Sequence, residues 1–561
     1  MRINLNSIVI FNGFLFAHSV TALNDSSLRK NRSLVEHEDV NLNDESSLHE
    51  NNSGVLTYPL LPHYVVHERR RRELGEESVP NEESEHGHPL GVLYQGYGTH
   101  YVDLWVGSPN PVRQTVIVDT GSSITAFPCE GCQDCGQGHH IDSFFPFTKS
   151  ESFEPLGCGQ CTSGYCGSIR GKSPVDDKKR CKLSMSYQEG SSWDAFESQD
   201  IVYFGGPHSD PLPGRRLDSD LSKKAQEDSV PSLDTRQLQE EEGGKEKDPE
   251  TEEEKEMSEV DAMFQKDEIA SHAREFSFPL KFGCQYSITG LFKTQLADGI
   301  MGMENNPNAF WKQMYAAKVI KDPKFALCFS KANRAQKSGT VAGAITLGGT
   351  NTKLHKSPMV YAQNMKRQGW YTVHIRAIYL KSNTEENVVK KLDVQYESMN
   401  SAGVIIDSGT TDSYLPSFLK RPFKEAFNEV SKTSFGSGVF ALSKEEVEKF
   451  PSILVQLKGA EKVDESELKN QDGSSFVGLA NGLDSANPND VVMEIRPIHY
   501  FEFLRSREKW ESRFHLTESS GGVLGANAIA GHDILFDTDK QRIGIAQSDC
   551  DYSQLGTKVN S

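Results

Sequence analysis

Two short stretches of this sequence carry chemistry of the same kind. Val116-Ile117-Val118-Asp119-Thr120-Gly121-Ser122-Ser123 is echoed by Val404-Ile405-Ile406-Asp407-Ser408-Gly409-Thr410-Thr411. Each runs an apolar strand into Asp-[Thr/Ser]-Gly-[Ser/Thr]. Two carboxylates held close together cannot both ionise, so one gives up its proton readily and the other keeps it. The titration then belongs to the pair. The ionised member takes a proton from a bound water as that water attacks a peptide carbonyl, and the protonated member donates to the carbonyl oxygen. This reading makes Asp119 and Asp407 the catalytic pair and requires neither a metal nor an organic cofactor. Gly121 and Gly409 let neighbouring backbone approach the carboxylates and bond them through their amides. Ser122 and Thr410 are suited to hold the outer carboxylate oxygens. A lone Asp-Thr-Gly is as readily a structural turn; the repetition gives the motif its weight.

Such a pair needs two similar scaffolds. Further along, each half carries two apolar residues and a glycine, Ile300-Met301-Gly302 and Val523-Leu524-Gly525. The interval from Asp119 to Gly302 is 183 residues and that from Asp407 to Gly525 is 118. The excess of 65 is close to the 68 residues of an acidic stretch at 208–275, so without it the halves are commensurate. Period-two alternation in His100–Val106 and Gln114–Val118, with regular Gly and Pro punctuation, predicts an all-β fold with few short helices. The expected lobes are 89–330 and 331–552, followed by a tail at 553–561.

On these motifs, residues 92–552 resemble the pepsin family (A1) of aspartic peptidases. The resemblance implies a bilobal double β-barrel with the site in the cleft between lobes, closed by a mobile hairpin flap. The flap corresponds to Ser186-Tyr187-Gln188-Glu189-Gly190-Ser191, with Tyr187 matching the family's flap tyrosine. Where pepsins carry a tryptophan that bonds this tyrosine, this chain has Ala126, as the β-secretase branch does. Phe325-Ala326-Leu327-Cys328 and Arg542–Cys550 also look like that branch, in which the matching cysteines are bridged, so Cys328–Cys550 is implied. The pairing of the other eight cysteines stays open. Phe127–Gly136, with Cys129, Cys132 and Cys135, looks like the cysteine-rich insert of the plasmepsin V branch. Those enzymes are endoplasmic-reticulum maturases that trim exported proteins after Arg-x-Leu. By that likeness Glu189 would attract a basic substrate side chain from the flap, and Gln295 would be a second contact. A solvated charge at the flap tip is the plain alternative for Glu189. Two departures bear on the transfer: the sequence shows no C-terminal membrane anchor, and residue 188 is Gln rather than cysteine.

The rest of the chain bounds the setting. Arg2 followed by the apolar stretch Ile8–Ala22 reads as a signal peptide, 1–22, with Val20-Thr21-Ala22 at its cleavage site. Residues 23–88 are polar and aperiodic, and hold three glycosylation sequons at Asn24, Asn31 and Asn51. They read as a disordered pro-region, with Arg69-Arg70-Arg71-Arg72 as either a processing site or a solvated charge cluster. Within 208–275, Leu238–Val260 holds eleven acidic against three basic residues and lacks the apolar surface to order itself. It reads as a disordered loop inserted into a hairpin; a docking tail or activation site is the alternative. The formal charge of −19 argues against a nucleic-acid partner, which needs basic stripes. No later stretch is apolar enough for a membrane span. Seven of the ten cysteines crowd into 129–181. Their C-x2-C-x2-C run would suit zinc or iron–sulfur in a reducing compartment, whereas behind a signal peptide it reads as disulfides.

The expectation is therefore a monomeric aspartic endopeptidase of the secretory pathway, in the endoplasmic-reticulum lumen or outside the cell. Its partners would be protein or peptide substrates. A broad-specificity acid endopeptidase and a catalytically silent binding protein on the same fold are the rivals.

Overall fold

The β-branched and aromatic runs of the sequence form strands buried on both faces, as His100–Val106 shows along its whole length. The computed structural model describes residues 49–51, 55–57, 90–95, 99–168, 179–187, 190–203, 276–330, 341–365, 369–436, 441–461, 477–504 and 509–551. The expected signal peptide, the Arg69–Arg72 run, the acidic loop, the tail and Glu189 lie outside these residues, as does nearly all of the expected pro-region. Strands dominate and helices are few and short. The longest helix described, Lys420–Ser431, buries Phe423, Ala426, Phe427 and Val430 on one face. No helix among the described residues is long and apolar enough to cross a membrane.

The same strand crossing is built twice. In the first lobe, Gly299–Gly302 runs parallel to Val112–Asp119 with Gly302 opposite Asp119, and crosses antiparallel against Ala126. In the second, Gly522–Leu524 runs parallel to Val404–Ile406 with Leu524 opposite Ile406, and crosses antiparallel with Val523 opposite Tyr414. Each crossing ends on a glycine because the chains touch there. A Cβ on Gly302 would overlap the backbone nitrogen of Ile124, and one on Gly525 would overlap Asp412 O.

A 15-stranded sheet joins the lobes. The C-terminal strands His532–Asp537 and Arg542–Gln547 pair with each other, and His532–Asp537 continues through Lys324–Phe329 and Val341–Leu347 to Leu90–Gln95. The Cys328–Cys550 disulfide joins positions 222 apart beside this junction. Ser192–Tyr203 pairs antiparallel with Ser277–Ile288 and ends with Tyr203 opposite Ser277, so the acidic segment enters and leaves at adjacent strand ends.

The remaining cysteines pair as Cys129–Cys284, Cys132–Cys135, Cys158–Cys166 and Cys161–Cys181. All three sulfurs of the C-x2-C-x2-C run are therefore in disulfides. The first of these bonds fastens the crossing strand Ala126–Pro128 to its neighbour, where Phe127 stacks on Phe282 at 4.6 Å. Fully burying an aromatic of this kind contributes about 1.5–3 kcal/mol.

Candidate active site

The two crossings meet at their glycine ends and bring Asp119 and Asp407 together, 5% and 8% exposed. A Cβ on Gly409 would overlap Asp119 Oδ1, so each carboxyl reaches the other's loop. A Cβ placed on Gly121 would lie 2.9 Å from Asp407 Oδ1 and 3.1 Å from Asp119 Oδ1, which is why glycine is needed. Each carboxylate is held alike. The Gly121 amide donates to Asp119 Oδ1 at 2.8 Å and Ser122 Oγ donates to Oδ2 at 2.5 Å. The Gly409 amide donates to Asp407 Oδ1 at 3.0 Å and Thr410 Oγ1 donates to Oδ2 at 2.5 Å. The pair and the four residues that the sequence singles out around it thus occupy one site.

The residue between Asp and Gly in each motif has a role that the sequence reading passed over. Thr120 Oγ1 donates to Ile406 O at 3.1 Å and accepts from Ser408 N at 2.9 Å. Ser408 Oγ donates to Val118 O at 2.8 Å and accepts from Thr120 N at 3.0 Å. This reciprocal clamp lies beneath the dyad and ties the loops across the lobes. Both motifs have a hydroxyl here, which was the available signal.

Burial, then the charge of Asp407, pushes the Asp119 carboxyl well above its usual range, against the opposing hydrogen bonds from Ser122 and Gly121. The pair thus holds one proton between its two carboxyls. A second buried acid stands close by. Glu304 donates its backbone N–H to Ser122 O at 2.9 Å, and its carboxyl is pushed up to about 7 by burial. No motif announced it.

The hairpin expected to serve as the flap pairs Lys179–Ser186 with Ser192–Tyr203, Ser186 opposite Ser192. Tyr187 N–H donates to Ser191 O at 2.8 Å and Gly190 N–H to Tyr187 O at 3.1 Å, so the described part of the tip is a tight turn. Gly190 adopts φ +92°, a conformation that favours glycine. Ala126 gives Tyr187 no polar partner; instead Trp193, on the hairpin's own returning strand, donates from Nε1 to Tyr187 Oη at 3.2 Å. Tyr187 also packs edge-on against Phe292 at 5.1 Å.

Phe292 belongs to the turn Gly290–Lys293, which the cysteine-rich segment clasps. His140 Nε2 bonds Phe292 O at 2.8 Å, Ile141 N–H donates to Leu296 O at 3.0 Å, and Lys293 pairs with Asp134. Cys132 and Cys135 pack with Trp193 and Phe292 in the small apolar cluster under Tyr187. Gln295 lies just beyond this turn, its N–H donating to Leu291 O at 2.8 Å. Its side-chain amide nitrogen is buried with no hydrogen-bond partner among the described residues.

Residues 279–491 match the eukaryotic aspartyl protease family, and residues 100–217 match the xylanase inhibitor N-terminal family. Aspartic protease 5 of Toxoplasma gondii is 36% identical over 116 residues, 19% of this chain and 12% of that protein. Plasmepsin V of Plasmodium falciparum (isolate 3D7) is 35% identical over 106 residues, 19% of this chain and 16% of that protein. The matched stretches thus span less than a fifth of either relative's own length.

Proposed function

From the premise that residues 279–491 match the eukaryotic aspartyl protease family, we propose that the chain is an aspartic endopeptidase of the secretory pathway that uses Asp119 and Asp407 as its catalytic pair. The observation that carries this reading is the dyad: two buried carboxyl groups brought together by their loops, each held by a glycine amide and a hydroxyl. A water bound between them loses a proton to the ionised member of the pair as its oxygen bonds to the substrate carbonyl carbon. The protonated member donates its proton to the carbonyl oxygen, giving a neutral diol. In collapse, the diol returns a proton to the member that gave one up, the C–N bond breaks, and the departing nitrogen takes the proton that the other member took from water. The burial of both carboxyls strengthens each of these interactions relative to open water.

The finer reading is a maturase that cleaves after Arg-x-Leu-like sites. The flap sequence with Glu189 supports it, because an arginine guanidinium is satisfied by a carboxylate. The apolar N-terminal stretch and five disulfides support a secretory address. Cleavage of an Arg-x-Leu peptide and its Arg→Ala twin at pH 5 and pH 7, with Asp119→Ala protein as control, tests both levels. Preference for the arginine peptide, lost in the variant, is the expected result. Equal cleavage of both peptides removes the arginine-selective reading and leaves a broad-specificity acid endopeptidase.

The match to the xylanase inhibitor N-terminal family favours a second reading, a silent binding protein on the same fold. Two complete aspartate loops weigh against it, and absence of any cleavage by the mature chain would establish it.

A further inference from the structure

Residues 303–305 of the first lobe and 369–371 of the second meet beside the dyad. Met303 N–H donates to Asp119 O at 2.8 Å, and Asn305 N–H donates to Gly369 O at 2.9 Å. Tyr371 completes the connection. Its phenol donates to Met303 O at 2.7 Å, and its own carbonyl accepts from Ile406 N–H at 2.9 Å, one residue before Asp407. A continuous path of three hydrogen bonds therefore runs Asp119–Met303–Tyr371–Ile406. The phenol is the only side chain in this path. It is 1% exposed and wedged against Phe325 and Phe536, with centroids at 5.9 and 4.5 Å.

We infer that Tyr371 is a positioning residue for the dyad, its hydroxyl fixing the first-lobe strand end that carries Asp119 against the second-lobe strand end that carries Asp407. This inference rests on the endopeptidase reading. The Thr120–Ser408 clamp joins the loops themselves, whereas Tyr371 joins the strands that feed them. A water–carbonyl reaction shared by two carboxyls depends on their separation, and small displacements of reacting groups cost rate steeply. Separation also sets how strongly the two titrations are coupled.

Tyr371→Phe is a clean test. It keeps the ring and its packing, and Met303 O retains a second donor, Trp311 Nε1 at 3.0 Å, so no buried acceptor is orphaned. Tyr500→Phe is the matched control: Tyr500 is fully buried and donates to Pro451 O at 2.6 Å, outside this path. The charged or titratable groups around the phenol are Asp119 and Asp407 through the path, Glu304 beside it, and Lys312, whose ammonium lies 4.3 Å over the Trp311 ring. The pH profile is therefore measured in both wild-type and Glu304→Gln backgrounds. With a peptide substrate, Tyr371→Phe is expected to lower kcat about tenfold with KM within about twofold. Its bell-shaped kcat profile should narrow in both backgrounds, as looser carboxyls titrate more independently. Tyr500→Phe should lower the melting temperature comparably and leave kcat and the profile unchanged. Equal kinetics for the two variants would overturn the inference while leaving the endopeptidase reading intact. Failure of the wild-type chain to cleave any peptide would overturn both.

Discussion

Trp193 and Tyr187 face each other across the flap hairpin, the indole Nε1 donating to the phenol oxygen at 3.2 Å. Donor and acceptor belong to the same hairpin, so the hydroxyl is held by its own element while the ring rests on Phe292 of the lobe beneath. Trp193→Phe keeps the buried ring and removes the donor. A net bond of about 1 kcal/mol corresponds to a drop of about fivefold in kcat/KM, measured by steady-state kinetics. The converse substitution, Ala126→Trp, offers no rescue. Ala126 is fully buried where Gly299 must lack a Cβ to pass its carbonyl, so overpacking should cost about 3 kcal/mol in denaturant unfolding. An Ala126→Trp protein of normal stability would contradict this packing account.

Thr120→Val tests the clamp beneath the dyad. The substitution is close to isosteric, yet it strips Ser408 N–H of its acceptor and Ile406 O of a donor. A buried amide left unpaired costs about 1–3 kcal/mol. Unfolding should show a loss of that size, and kcat should fall more than KM rises. Unchanged stability would mean that the loops are held elsewhere.

Glu304 makes stability depend on pH in a defined direction. Its carboxyl is raised by burial from 4.5 to about 7 in the folded chain, so above the unfolded pKa the native state holds a proton that the unfolded state has released. Its contribution is fully present below about pH 4.5 and is lost as pH rises through about 7. Glu304→Gln retains a hydrogen-bonding group and has no such loss. The variant should gain on wild type between pH 5 and pH 8, by on the order of 2 kcal/mol after allowing for solvent screening. Parallel melting temperatures across that range would refute the assignment.

The disulfides should divide by role. Cys328–Cys550 spans 222 positions and Cys132–Cys135 spans 3. In the chain-entropy account, the long loop constrains the unfolded state by about 5 kcal/mol and the short one by about 2. Replacing Cys328 and Cys550 with alanine should lower the melting temperature strongly. Replacing Cys132 and Cys135 should lower it less but raise KM, because the segment they close clasps the turn carrying Phe292 under the flap tyrosine. Wild-type KM in the second variant would argue against that buttress.

The paired aspartate loops were legible in the sequence because their geometry demands particular residue types. A carboxylate needs a strand to carry it, a glycine to let the other carboxylate approach, and a hydroxyl to hold its outer oxygen. Each demand leaves a letter, and the duplication repeats the letters. The apolar-apolar-Gly echoes were legible for the same reason, since the strand crossing excludes a Cβ. The all-β class followed from the alternation around His100–Val106.

Partnerships across space left no such mark. Position 126 supplies the flap tyrosine with no partner, but any donor within reach of its hydroxyl serves, and Trp193 reaches it from the returning strand. Cys129 meets Cys284 because parallel pairing sets Phe127 opposite Cys284, a register invisible in cysteine spacing. Glu304 and Tyr371 read as ordinary residues until the lobes close over them. What the sequence by itself determined was the local chemistry: which side chains each loop offers and which backbone each requires. Only the tertiary structure decided how the two loops are held at one separation, because that distance arises from hydrogen bonds and packing between segments far apart in the chain.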